Sequence, residues 1–163
     1  MLWKGRIVTD LASPTKRVAA GALFFNPSGE LLIVKPSYQP GWLIPGGAVE
    51  LRESPLAGCR REVLEEIGLR RPLIRLLCVD YRPASARRSE SLHFLFAGGA
   101  LDEAEVAAIM LPLDELTEHQ FLPSAQALAL LRSRLRRRVE HGLRALRAGD
   151  TRYLENGKLW TTS

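Results

Sequence analysis

The stretch from Gly47 to Leu69, GAVELRESPLAGCRREVLEEIGL, decides how the rest of the chain is read. It is punctuated as a helix: Ser54 suits the N-cap, Pro55 the first helical position and Gly68 the first residue past the end. Leu56, Cys59, Val63 and Ile67 recur at helical spacing and predict one buried face. Glu62 lies three residues before Glu65 and four before Glu66, so three carboxylates share another face. Like charges at that spacing repel by roughly 0.2 to 0.5 kcal/mol per pair. They also crowd the helix C-terminus, where the macrodipole favours cations by about 0.3 to 1 kcal/mol each.

Two arrangements relieve this conflict. Arg60, Arg61 and Arg70 neutralise the face as an ordinary charged surface, with Arg61 one turn before Glu65. Alternatively a divalent cation sits among the carboxylates and reverses the sign of every repulsive term. Oxygen donors on a short arc suit Mg²⁺ or Mn²⁺, and no neighbouring His or Cys argues for zinc.

Working outward, Arg17 to Phe25 and Glu30 to Lys35 flank Asn26-Pro27-Ser28-Gly29 and read as a β-hairpin. A Pro- and Gly-rich stretch, Pro36 to Gly47, leads into the helix. Beyond it, Leu73 to Tyr81 and Ser91 to Phe96 read as strands around an Arg-rich loop, Asp80 to Glu90, and Ala107 to Leu111 reads as a last strand. Pro123-Ser124 opens a second long helix carrying the apolar stripe Leu128, Leu131, Leu135 and Val139, which Gly142 interrupts. Asn156-Gly157 marks a small terminal hairpin. The alternation of elements predicts an α/β (α+β) chain with helices covering a mixed sheet, in a single domain over 1–163.

At seven identical and two aliphatic positions, the spacing Gly47, Glu53, Arg61-Glu62-Val63, Glu65-Glu66, Gly68-Leu69 resembles the Nudix box of the Nudix hydrolases. Such a match arises by chance in on the order of one chain in a million. Trp42 to Gly47, WLIPGG, is similar to that family's approach to the box. The resemblance spans about residues 17 to 135 and implies an α/β/α sandwich. The N-terminal extension 1–16 and the basic tail 132–163 lie outside it.

The resemblance implies a metal-dependent pyrophosphohydrolase acting on a nucleoside diphosphate linked to another moiety: a nucleotide sugar, ADP-ribose, a dinucleotide or a nucleoside triphosphate. It implies Glu62, Glu65 and Glu66 as ligands of Mg²⁺ or Mn²⁺, joined by the Gly46 carbonyl, with Glu53 pairing Arg61 to orient the cluster. Lys35, Trp42 and Gly47 are the substrate-binding candidates; for Lys35 the bland reading is a solvated edge charge, and for Trp42 a place in the core. The general base stands open between a box glutamate and Asp102, Glu103 or Glu105 on a later loop. Pro83 and Tyr81 fall short of the positions that distinguish ADP-ribose from dinucleotide members, so the substrate is not chosen by them.

Composition sets the outer bounds. The chain has 163 residues, 46% hydrophobic and 25% charged, the balance of a folded globular protein. Its apolar runs, Val18 to Phe25 and Leu122 to Leu131, are well short of the roughly 18 to 20 residues that span a bilayer, so no membrane partner is expected. Met1 to Thr9 has no export pattern, which points to the cytoplasm. Cys59 and Cys78 read as reduced core thiols. The net charge of +5 is uneven: residues 1–131 sum to −1 and 132–163 to +6. Arg132, Arg134 and Arg136 to Arg138 raise RNA 5′-end pyrophosphohydrolysis as an alternative, disfavoured because no aromatics are interleaved. A third alternative is a non-catalytic nucleotide-binding module, against which the intact carboxylate cluster weighs. A homodimer through the Leu128 to Val139 stripe and the terminal segment is a further expectation.

Overall fold

The computed structural model describes residues 15–86 and 88–160. Expectations for Met1–Thr9, and for all but the last two residues of the 1–16 extension, lie outside them. Among the described residues, eight strands form one mixed sheet: β1 (Arg17–Phe25), β2 (Leu31–Pro36), β3 (Gly46–Ala48), β4 (Arg75–Arg82), β5 (Ser91–Ala100), β6 (Leu116–Leu122), β7 (Arg152–Glu155) and β8 (Lys158–Leu159). The order is β6-β2-β1-β5-β4-β7-β8, with β3 paired to β1. β1 and β5 run parallel, as do β4 and β7; the remaining pairs are antiparallel.

The pleat of β1 divides the core. Ala20, Ala22 and Phe24 face α1 (Pro55–Ile67), packing with its Cys59, Val63 and Ile67. Leu23 faces the other way, with Leu95 and Ala97, onto Val139, Leu143 and Ala145 of α4 (Ser133–Ala148). Helices therefore cover both faces of a mixed sheet, the α/β/α sandwich. The two cysteines are free and buried, one in each cluster. Burial pushes both thiols up to about 12, so they pack as small apolar groups.

The first hairpin opens in a way that matters for function. β1 and β2 pair in register only at Phe25↔Leu31 and then diverge. The chain from 42 to 48 fills the gap: Leu43 bridges to Val34 of β2, while Gly46 to Ala48 pair with Gly21 to Ala19 of β1. Gly46-Gly47 is thereby fixed inside the sheet beside α1.

Three sequence expectations are corrected. Ala107 to Leu111 is not a strand: α2 (Glu103–Ala107) ends there, started by a capping box between Asp102 and Glu105. The strand lies later, at β6, where polar residues in LTEHQFL obscure the apolar pattern. The long helix after Pro123 is two, α3 (Ser124–Leu130) and α4, because Leu131 turns extended to bridge Trp42 and Arg132 becomes the N-cap of α4. Gly142 does not interrupt α4. Its missing side chain admits Leu95, whose Cδ2 would lie 2.4 Å from an added Cβ. The stripe Leu128, Leu131, Leu135 and Val139 packs within the chain's own core.

Buried Asp80 belongs to β4, not to the following loop, and ties the far end together. It pairs with Arg138 of α4 at 2.9 Å and accepts the Gly157 N–H of the β7–β8 turn at 2.9 Å. No helix among the described residues is long and apolar enough to cross a membrane.

Candidate active site

α1 starts and stops as its sequence directs. The Ser54 hydroxyl accepts the Ala57 N–H at 3.1 Å, and Gly68 closes the helix in the left-handed region (φ 73°). No basic residue stands in the last turn. The carboxylates there are instead held from the side.

Arg61 is the hub. Its Nε and Nη2 donate to the two oxygens of Glu53 at 3.1 and 3.0 Å, a bidentate pair. Nη1 donates to Glu62 at 3.0 Å and Glu65 at 2.9 Å, and Nη2 also to the Ala48 carbonyl at 3.0 Å. Hydrogen bonds from Arg61 hold the Glu53 carboxyl below the usual range. Gly58, an unfavourable residue inside a helix, has its explanation here: a Cβ would lie 2.8 Å from Glu53 Oε2 and 3.2 Å from Val49 Cγ2.

Glu66 is 7% exposed, and its Oε2 accepts the Gly46 N–H at 2.7 Å. Burial is the main cause that lifts its carboxyl to about 8, with repulsion from Glu62, Glu115 and Glu65 adding to it. Glu62 is also raised, again by burial first, against the pull of Arg61. A Cβ at Gly47 would lie 2.4 Å from the Glu62 carboxyl carbon, so a larger residue there would displace that carboxylate. Gly46 has φ 137°, and its Cβ would meet the Ala20 carbonyl oxygen at 2.3 Å.

Among the described residues, no three His, Cys, Asp or Glu side chains form a ready-made metal cage. The reason is visible: Arg61 draws Glu62 and Glu65 toward itself, while Glu66 is turned to Gly46. The donor chemistry nevertheless fits a hard cation. Crowded carboxylate oxygens, two of them raised by burial and mutual repulsion, are stabilised in ionised form by a divalent ion.

The other expected residues take separate places. Lys35 pairs with Glu118 across β2–β6 at 3.4 Å and lies 5.7 Å over the Trp42 ring, while Trp42 packs against Leu131 and its core neighbours. Asp102 and Glu105 close the cap of α2, and Glu105 also pairs with Arg71 at 2.9 Å. Neither they nor Glu103 are among the charges that raise Glu62 and Glu66. Glu115 is, from the turn before β6. The Ser37 N–H donates to the Glu115 carbonyl at 2.8 Å and the Ser37 hydroxyl to that of Asp114 at 2.6 Å, strapping this turn to the loop after β2. Tyr38 on that loop feels Glu66, Glu115 and Glu62, which, after burial, raise its hydroxyl.

On the other side of Gly46-Gly47 opens a cleft of about 780 Å³. Its floor is β1 and β5, including His93 and Leu95; its walls are Leu43 and Ile44, the loop after β4, and the start of α4. Arg82, Arg88, Arg132, Arg134 and Arg138 all line it. Sequence reasoning found the Arg-rich loop and the basic helix separately, without any signal that they converge.

Comparisons with known proteins agree with this fold. The NUDIX domain family model matches residues 15–142, and the chain belongs to that family. It is similar to a MutT protein from Methanosarcina mazei Go1, with TM-score 0.67 and 24% identity over 84% of this chain and 97% of that one, which supports the fold. It is 36% identical over 76 residues to an RNA pyrophosphohydrolase of Gluconacetobacter diazotrophicus, covering 41% of this chain and 46% of the relative. It is 41% identical over 63 residues to diphosphoinositol polyphosphate phosphohydrolase 2 of Rattus norvegicus, covering 38% and 35%. The matched segments thus span less than half the length of these curated relatives.

Proposed function

We propose that the protein is a Mg²⁺- or Mn²⁺-dependent pyrophosphohydrolase that cleaves a nucleoside diphosphate linked to another moiety. One observation carries this reading: the Gly46-Gly47 backbone is shared by the buried carboxylate cluster and the cleft. A diphosphate lying along these two residues has the carboxylates on one side and room for the group it carries on the other. Two free, buried thiols suit a reducing compartment, and we place the protein in the cytoplasm.

Glu62, Glu65 and Glu66, with the Gly46 carbonyl, are the groups that would hold the cation. A bound divalent ion supplies screening of the diphosphate charge and stabilises charge moving onto oxygen. Arg61 acts on geometry: bonded to Glu53, Glu62, Glu65 and the Ala48 carbonyl, it sets the angle between α1 and β3. The reaction forms one bond from water oxygen to phosphorus and breaks one bond from phosphorus to the bridging oxygen, whose electron pair leaves with the departing phosphate. The water proton goes to a carboxylate. Glu62 and Glu65 are engaged by Arg61 and Glu66 by Gly46, whereas Glu115 has no ion pair among the described residues. Glu115 is therefore assigned as proton acceptor.

A second reading, an RNA 5′ triphosphate as substrate, draws on the arginines of the cleft. It requires turnover of RNA that falls steeply with salt.

Incubation with Mg²⁺ and ADP-ribose, a dinucleotide, a nucleotide sugar or a nucleoside triphosphate in ¹⁸O-labelled water tests the main reading. One phosphate product from at least one substrate should carry a single ¹⁸O. Absence of labelled product from every member of the panel contradicts it.

A further inference from the structure

The cleft behind Gly46-Gly47 is one-sided in charge. Among the described residues, five arginines line it and no Asp or Glu does. Asp80 answers Arg138 from beneath, and Arg132 donates to Gln39 and to the Pro40 carbonyl, holding the loop at the mouth. Arg82, Arg88 and Arg134 have no carboxylate partner among the described residues. Arg82 is half-buried, and Arg134, Arg88 and Arg138 crowd its guanidinium with like charge. Such crowding opposes folding unless an anion relieves it.

A second feature points the same way. The 16-residue helix α4 begins in this cleft at Arg132, Ser133 and Arg134, and no side chain caps its first turn. Its first N–H groups and the positive end of its dipole are turned to the same space as the guanidiniums. The scissile diphosphate does not account for this excess, because its charge is met on the α1 side by the cation the carboxylates would hold. A bare nucleoside leaves the three guanidiniums unanswered.

Resting on the pyrophosphohydrolase reading above, we propose that the group attached to the scissile diphosphate is itself polyphosphorylated, its additional phosphates held by Arg82, Arg88 and Arg134 and the first turn of α4. The cleft volume suits one small molecule of a few hundred cubic ångströms. Among the described residues, Phe94 is the one Phe, Tyr or Trp lining it, too few to form the aromatic platforms on which single-stranded RNA stacks. A compact polyphosphate is therefore favoured over an RNA end.

The test measures binding by calorimetry in metal-free buffer, using the full chain and a probe with no pyrophosphate bond, inositol hexakisphosphate. Linear tripolyphosphate and a 5′-triphosphorylated 12-residue RNA are run beside it. The hexakisphosphate should bind, with affinity that falls as salt rises. Arg82→Ala combined with Arg134→Ala should weaken it by about tenfold or more, while Glu66→Gln should leave it unchanged. Preference for tripolyphosphate assigns the cleft to a linear chain, and preference for the hexakisphosphate to a phosphorylated ring. Circular dichroism of the double variant checks that it is folded, and Arg88→Ala, at an exposed loop position, provides a second reduction in charge. The inference is overturned if the hexakisphosphate does not bind, if the arginine variants bind it as the wild type does, or if only the RNA binds. Absence of hexakisphosphate binding in a protein that still hydrolyses ADP-ribose removes this inference alone. Arginine-dependent binding in a protein that cleaves no diphosphate removes the hydrolase reading and leaves the cleft assignment standing.

Discussion

The two sides of Gly46-Gly47 are opposite in charge and in how they are built. On one side, four glutamates and one arginine within Glu53–Glu66 supply nearly all of the cluster, so a single segment determines it. On the other, the arginines come from the end of β4, the loop after it, and the break between α3 and α4. On the proposed reading, the acidic side holds the cation and the basic side selects the substrate. That reading separates reaction chemistry from selectivity by two residues of backbone.

Substitutions on the acidic side should remove turnover, with the largest effect at Glu66. Glu66→Gln should lower kcat by about 10³-fold in Mg²⁺, while the metal-free Tm stays level or rises, because a neutral amide relieves repulsion with Glu62, Glu115 and Glu65. A fall in metal-free Tm would recast Glu66 as a structural residue. Asp80→Ala strands Arg138 beneath the basic cleft and should destabilise the fold by about 3 to 5 kcal/mol, read by chemical denaturation; a change below 1 kcal/mol would deny that this pair anchors α4.

Glu115→Gln should cost about 100-fold in kcat with little change in KM. Arg61→Lys keeps the charge but loses the bidentate bond to Glu53, so activity should fall about 10- to 100-fold and apparent Mg²⁺ affinity with it.

The smallest effect is on stability with pH and comes from the floor of the cleft. Burial first, then the charges of Arg138, Arg82 and Arg17, depress His93 to about 4 from an ordinary value of 6.5. Between those values the unfolded chain takes up a proton that the folded chain refuses. Stability is therefore full above about pH 6.5 and declines as pH falls toward 4. His93→Gln should reduce that slope in urea titrations at several pH values; an unchanged slope would show that His93 contributes nothing to it.

What the sequence made legible follows the same division. Ser54, Pro55 and Gly68 bound α1 almost to the residue, since capping and helix periodicity are local. The clustering of Glu62, Glu65 and Glu66 was equally local. Glu115 was not, because β2–β6 pairing brings its turn, more than 40 residues past the box, to the carboxylates. The helix break at Leu131–Arg132 was hidden for a similar reason: an unbroken leucine period continues through it, and Trp42, 89 residues earlier, supplies the bridge. That break aims Arg132 and Arg134 into the cleft, a convergence with the loop after β4 that an unbroken helix gives no sign of. Gly58 was a local rule broken without a visible cause until Glu53 was placed against it.

The proposed placement of one diphosphate along Gly46-Gly47, with the group it carries in the cleft, is what joins the two sides. Its most direct test is ³¹P relaxation of α,β-methylene ADP, which cannot be hydrolysed at the bridge, bound to the Mn²⁺-loaded protein. Both phosphorus signals should broaden strongly, and the broadening should vanish in a Glu62→Gln, Glu66→Gln variant that still binds the nucleotide. Bound nucleotide whose phosphorus signals are indifferent to those glutamates would place the cation site and the cleft apart, and contradict the account.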